Sequence, residues 1–132
     1  MPRTLDVLVV ENNPIDRRLI AAMLEAAGHR PTAVADGITA ADLARSTAFH
    51  IILMDIGLPG LDGVRSMQLI RALGGHNRVV PILAVTAQAD PGRREELLAA
   101  GLDGHLAKPF GIAELYHKLQ TLTDSEFAAE AA

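Results

Sequence analysis

Short, almost wholly apolar runs alternate with helical patterns from one end of this chain to the other. Leu5 to Val10 comes first, interrupted only by Asp6, and Ile51-Ile52-Leu53-Met54 and Pro81 to Val85 follow further on. Pro31 to Ala35 and Gly104 to Ala107 are weaker members of the same series. Runs this short and this continuously apolar suit strands covered on both faces, not half-exposed strands with alternating polarity. Strands that alternate with helices predict a parallel sheet with helices on both sides. Five strands and five helices fill the chain without a long unassigned loop.

The helical segments carry their own punctuation. Asn13-Pro14 reads as N-cap and first helical residue, and Ile15, Leu19 and Met23 recur every four residues before Gly28 ends the helix. Asp36 caps a small-residue helix that runs to about Ser46. Val64, Met67, Ile70 and Leu73 share a face before Gly74-Gly75. Asp90-Pro91 repeats the N-cap and N1 pattern, Gly101 closes that helix, and Ile112, Leu115, Leu119 and Leu122 mark the last one. At 132 residues the chain suits one domain. That domain is read as residues 1–122, with 123–132 ("TDSEFAAEAA") as a frayed helix end or linker stub.

Composition narrows the function classes. There are no cysteines, so disulfides, thiolate nucleophiles and Cys-ligated metals are excluded. A formal charge of −4 with no basic run argues against direct nucleic-acid binding. The N-terminal apolar segment is short and broken by Asp6, unlike a signal peptide, and no run reaches the length of a membrane span. A cytoplasmic location is the expectation, with no membrane contact through this domain.

In an open α/β sheet, ligands bind at the carboxyl ends of the strands. Glu11 and Asn12 stand after the first strand and Asp55 after the third; Thr86 ends the fourth, and Lys108 follows the fifth. Two carboxylates, an amide, a hydroxyl and an ammonium therefore converge on one edge. Carboxylate and amide oxygens are hard donors suited to Mg²⁺. An Asp can serve as nucleophile to form an aspartyl phosphate. A hydroxyl and an ammonium can hold the oxygens of a transferring phosphoryl group.

The motifs "LVVENN", "IILMDIGLPGLDG", "ILAVTA" and "GHLAKPF", in that order and spacing, resemble the receiver domain of two-component response regulators over residues 5 to about 122. The resemblance implies a flavodoxin-like, doubly wound (βα)5 fold with strand order 2-1-3-4-5. It implies that Asp55 accepts a phosphoryl group from a phosphohistidine on a histidine kinase or histidine phosphotransfer protein. Glu11, Asn12, Asp55 and the backbone carbonyl of Gly57 would hold Mg²⁺, and Thr86 and Lys108 would contact the phosphoryl oxygens. Thr86 and His105 would form the switch, with His105 where the family usually carries Tyr or Phe. Ala87 would leave room for the phosphoryl group, Gly57 and Gln88 would line the path of attacking water, and Lys108-Pro109 would be a cis peptide. The domain would be a signalling module whose only catalysis is its own Mg²⁺-dependent phosphorylation and slow dephosphorylation. The segment "SMQLIRALGGHNRVVPILAVTA" resembles receivers of hybrid histidine kinases. A weak homodimer is left open.

The main departure from the family pattern is Asn12, where a second acid is usual. Its oxygen still coordinates a cation, but its charge is gone. One unit charge a few ångströms from a cation is worth on the order of 4 kcal/mol at an effective dielectric near 20, before opposing terms. Weakened but persisting Mg²⁺ binding is therefore expected.

Blander readings stand beside these. Taken singly, Asp55 is equally a turn or capping residue, Glu11 a solvated acid, Asn12 an Asx-turn residue and Thr86 an ordinary strand residue. His29, His50, His76 and His117 lack metal-ligand spacing and read as surface or helix-end residues, and "GRREE" as a solvated helix face. Phe110 reads as packing; Tyr116 is left undecided. Two other functions remain as alternatives: a receiver-like binding module that works without phosphorylation, motivated by Asn12, and a phosphohydrolase on a similar sheet. The second wants another Asp two residues after the nucleophile, and position 57 is Gly.

Overall fold

The computed structural model describes residues 4–57, 62–87 and 91–131, with the backbone alone for 91–93 and 124–131. Five parallel strands form one sheet: β1 (Asp6–Val10), β2 (Arg30–Val34), β3 (Ile51–Asp55), β4 (Ile82–Thr86) and β5 (Gly104–Ala107). Their order is β2-β1-β3-β4-β5, the doubly wound arrangement expected. The crossovers are α1 (Pro14–Ala26), α2 (Gly37–Ser46), α3 (Gly63–Ala72) and α4 (Pro91–Ala100), and α5 (Ile112–Ala131) follows β5. A 3-10 turn at Gly75–Arg78, not foreseen, carries the chain from α3 toward β4.

Side-chain alternation along the strands builds two cores. Leu8, Val10, Ile52, Met54, Ile82 and Ala84 face α2, α3 and α4. Val7, Val9, Ile51, Leu53, Leu83 and Val85 face α1 and α5. Every residue of β3 and β4 is buried, as the continuous apolar runs required. β2 is the edge strand, which is why Pro31, lacking an N–H, is tolerated there.

The α1 pattern needs a correction. Its buried stripe is Ile20 and Leu24, flanked by Met23, whereas Ile15 and Leu19 are 77% and 52% exposed. The sequence pattern marked a neighbouring row of the same helix, because apolar residues occupy more than one row. The caps behave as read: Asn13 Oδ1 accepts from the N–H groups of Ile15 and Asp16, at 2.9 and 3.1 Å. Asp36 caps α2 through Thr39 N–H as read, and Asp62, which the sequence reading did not single out, caps α3 through Arg65 N–H. Asp90, the cap read for α4, lies outside the described residues. Gly28 ends α1 at φ +89°, a conformation that side chains with a Cβ resist.

Two histidines are not surface residues as expected. His29 is buried, and its Nδ1 accepts the N–H of Leu5 at 3.1 Å; its ring stacks on Tyr116. His50 Nδ1 accepts the next N–H, that of Asp6, at 2.8 Å. The start of β1 is thus held between two imidazoles that must leave Nδ1 unprotonated. Burial lowers the His29 value from its ordinary 6.5. The fold therefore favours neutral His29, so this contribution is complete above pH 6.5 and is lost as pH falls below it through the lowered value. Thermal melts from about pH 7.5 down to about pH 5.5 should show falling stability, with a shallower fall in His29→Asn. Equal slopes in the two proteins would contradict this assignment.

Candidate functional site

The carboxyl ends of β1, β3, β4 and β5 bring Glu11, Asp55, Thr86 and Lys108 together. Asp55 and Thr86 are the last residues of their strands; Glu11 and Lys108 follow β1 and β5 directly. All of them but Lys108 are buried, with Glu11 at 1% exposure, Thr86 at 6% and Asp55 at 8%. The Lys108–Pro109 peptide is cis.

Lys108 is the hub. Its Nζ donates to Glu11 Oε1 and, at 3.0 Å, to Asp16 Oδ2, and it lies 3.9 Å from Asp55 Oδ2. Glu11 Oε2 accepts the N–H of Asn13, and Asp55 Oδ1 accepts that of Gly57 at 3.0 Å. Burial, and then the Asp55 carboxyl beside it, raise Glu11 above its ordinary 4.5; Lys108 and the Asn13 N–H pull the other way without cancelling the rise. Burial opposes the charge on Lys108, but its hydrogen bonds to Glu11 and Asp16 outweigh that and raise it above 10.5. Three carboxylates thus surround one ammonium, an excess of negative charge in a partly buried place.

Thr86 Oγ1 and His105 Nε2 share a hydrogen bond of 2.8 Å. Burial, then the charges of Lys118 and Arg94, lower His105 below 6.5 and favour the neutral ring. Asn12 is exposed just beyond Glu11, and its backbone oxygen, like that of Glu11, accepts from Arg17. Gly57 and Ala87 are exposed at the same edge, and Gln88 lies outside the described residues. Phe110 packs against the α1/α5 core.

Hard oxygens dominate the available donors, which fits Mg²⁺ rather than a softer metal. Burial is the main reason Glu11 resists its charge, with the Asp55 carboxyl adding to it, and a cation at this edge would offset both. Among the described residues no three His, Cys, Asp or Glu side chains form a metal-binding group. Glu11 and Asp55 are two carboxylates, and Mg²⁺ commonly takes only one or two from the protein and completes its shell with other oxygens. Asp16 was missed by sequence reading. Its one signal was an acid in the first turn of a helix that starts right after the site.

The model of the response regulator receiver domain family matches residues 7–120. A signal transduction histidine-protein kinase, BarA of Shigella flexneri, is 39% identical over 115 residues, or 87% of this chain and 12% of the kinase. The chain thus spans about one eighth of the length of the curated relatives it matches. Among solved structures, the receiver domain of a Pseudomonas aeruginosa PAO1 sensor histidine kinase is 45% identical, with a TM-score of 0.84, covering 92% of this chain and 99% of that one. That receiver was solved with a magnesium ion coordinated in its active-site cleft. The chemotaxis protein CheY4 of Vibrio cholerae has the same TM-score at 28% identity, covering 91% of this chain and 99% of its own. With the strand order and the strand-end residues already described, these matches make the chain a member of the response regulator receiver domain family of two-component signalling.

Proposed function

We propose that this receiver accepts a phosphoryl group on Asp55 from a phosphohistidine partner and changes conformation in response. The observation that carries the reading is the placement of Lys108 Nζ 3.9 Å from Asp55 Oδ2, beside the buried carboxylates of Glu11 and Asp55. A carboxylate oxygen of Asp55 attacks phosphorus, the P–N bond to the donor imidazole breaks, and that imidazole leaves with a proton. Lys108 offsets charge on the phosphoryl oxygens, and Thr86 offers them its hydroxyl. Glu11, Asp55, the Asn12 amide and the Gly57 carbonyl would hold Mg²⁺, which when bound offsets charge on those same oxygens. The acyl phosphate carries about −1.5 to −2 charge where the carboxylate carried −1. Thr86 responds by leaving or reorienting its bond to His105, which biases β4, β5 and α4 between two states.

The donor is a histidine kinase or a histidine phosphotransfer protein. The kinase relatives favour a receiver that is part of, or works beside, such a kinase. We read residues 1–122 as the receiver and 123–132 as its tail or linker stub, although α5 runs through that boundary to Ala131 and Thr123 is buried. No helix among the described residues is long and apolar enough to cross a membrane. The cytoplasmic location in this proposal rests on the receiver reading, since such a domain meets its phosphohistidine donor there.

Incubation with acetyl phosphate and Mg²⁺, read by intact mass, tests the reading. A single phosphoryl adduct that needs Mg²⁺ is expected; its absence would favour the phosphorylation-independent binding module. A second measurement tests the cost of Asn12. Asn12→Asp should bind Mg²⁺ about tenfold more tightly, since most of the Coulomb gain is offset by hydration and carboxylate repulsion. Equal affinities for the two proteins would remove the charge argument.

A further inference from the structure

Lys108 has more carboxylate around it than one ion pair needs, and one of the three comes from a helix rather than a strand end. Asp16 sits in the first turn of α1, where its own N–H is tied to Asn13 Oδ1 at 3.1 Å. From there its Oδ2 accepts from Lys108 Nζ at 3.0 Å, across 92 residues of sequence. The same two residues line a cavity of about 40 Å³ with Leu19, Ile20, Met23 and Phe110, so the lysine stem passes beside apolar side chains.

We propose that Asp16 is a positioning residue that keeps Lys108 at the site when Glu11 gives its carboxylate to a divalent cation. The inference rests on the reading of Asp55 as phospho-acceptor. Glu11 has both oxygens engaged, Oε1 by Lys108 and Oε2 by the Asn13 N–H. A cation on either oxygen would draw on a carboxylate that already accepts at both, and so weaken its hold on the ammonium. A cation between Glu11 and Asp55 also repels the ammonium. Lysine is a flexible stem with a strongly hydrated tip, and Lys108 is 21% exposed, so a released ammonium would swing out to water. Asp16 lies outside the buried carboxylate pair, is 37% exposed, and belongs to no strand end. It can retain Lys108 without competing for the cation. With Asn12 neutral, Asp16 is also the third anion of the cluster.

The bland alternative is a partly exposed ion pair that contributes almost nothing. Lysine-ammonium NMR on the full chain separates the two, recorded without metal and then with MgCl₂. In the wild type the Lys108 ammonium signal should persist after Mg²⁺ is added. In Asp16→Asn it should be lost on adding Mg²⁺, and Asp16→Glu should restore it. The rate of phosphorylation by phosphoramidate at saturating Mg²⁺ should fall about fivefold in Asp16→Asn, with half-saturation by the donor unchanged. The melting temperature should shift by no more than about 2 °C. A Lys108 signal in Asp16→Asn that survives Mg²⁺ as in the wild type overturns the proposal, whatever the rate does. Absence of phosphorylation in every protein, wild type included, would overturn the Asp55 reading instead, while the ammonium signal still decides the role of Asp16.

Discussion

Asp55→Asn should take up no phosphoryl group from acetyl phosphate and Mg²⁺, and should melt at a higher temperature than the wild type. Loss of the adduct follows from replacing a carboxylate nucleophile with an amide. The gain in stability follows from the neighbours. Glu11 is almost fully buried, and the Asp55 carboxyl is one of the causes that raise it. An amide removes that repulsion yet keeps an oxygen for the Gly57 N–H, and Lys108 retains Glu11 and Asp16. A gain of about 1 kcal/mol is expected, or several degrees for a domain of this size. The pH dependence has a defined sign. Glu11 has a raised value in the fold, so the folded state binds its proton more readily, and this group adds stability as pH falls from neutral toward 4.5. That slope should flatten in Asp55→Asn. An adduct retained at wild-type yield would remove Asp55 as acceptor, and a lower melting temperature would refute the repulsion argument.

Gly63→Ala should lower stability by about 2–3 kcal/mol, read as a reduced urea midpoint with an unchanged slope. Gly63 is the first residue of α3, where Ala is ordinarily the better helix former by about 1 kcal/mol. Sterics reverse that preference. A Cβ there would lie 2.5 Å from the carbonyl oxygen of Asp55, 2.7 Å from Ile56 Cα and 2.9 Å from Ile56 Cδ1. Two of those atoms are backbone and cannot turn away. The end of β3 must shift to admit a methyl group, and Asp55 shifts with it. Phosphoryl uptake should therefore fall together with stability, although residue 63 supplies no group to the site. A Gly63→Ala protein of wild-type stability would show that the β3–α3 loop yields more easily than this packing implies.

The contrast between these residues shows what sequence reading could reach. Asp55 and Thr86 were legible because each ends a strongly apolar run, Lys108 because it opens a Lys-Pro pair after a short strand, and strand ends in this topology share one edge. Asn13, Asp36 and Asp62 act through N–H groups two or three residues away, so their capping is a local property. Gly63 stands in the motif "IILMDIGLPGLDG" with nothing to single it out, because its constraint is the approach of α3 to Ile56, which no local pattern encodes. Asp16 resembled any acid in a first helical turn until the fold brought Lys108 to it. His29 looked like a polar residue after a helix stop, yet a backbone N–H from β1 explains its burial. The α1 stripe shows the remaining ambiguity: with apolar residues on two rows, only the sheet decides which row is covered.

The register of the sheet has an evolutionary consequence. Val10 is the last residue of β1 to pair with β2 and β3, and Ala107 the last of β5 to pair with β4. Asn12 therefore stands beyond the ladder, on an exposed rim that the two cores do not need, one step past Glu11, whose N–H still donates to the Val34 carbonyl oxygen. Substitutions there change charge and ligand chemistry while every strand pair and buried layer stays in place. A lineage can retune such a rim one residue at a time, and an acid traded for an amide at Asn12 is a change the scaffold barely registers.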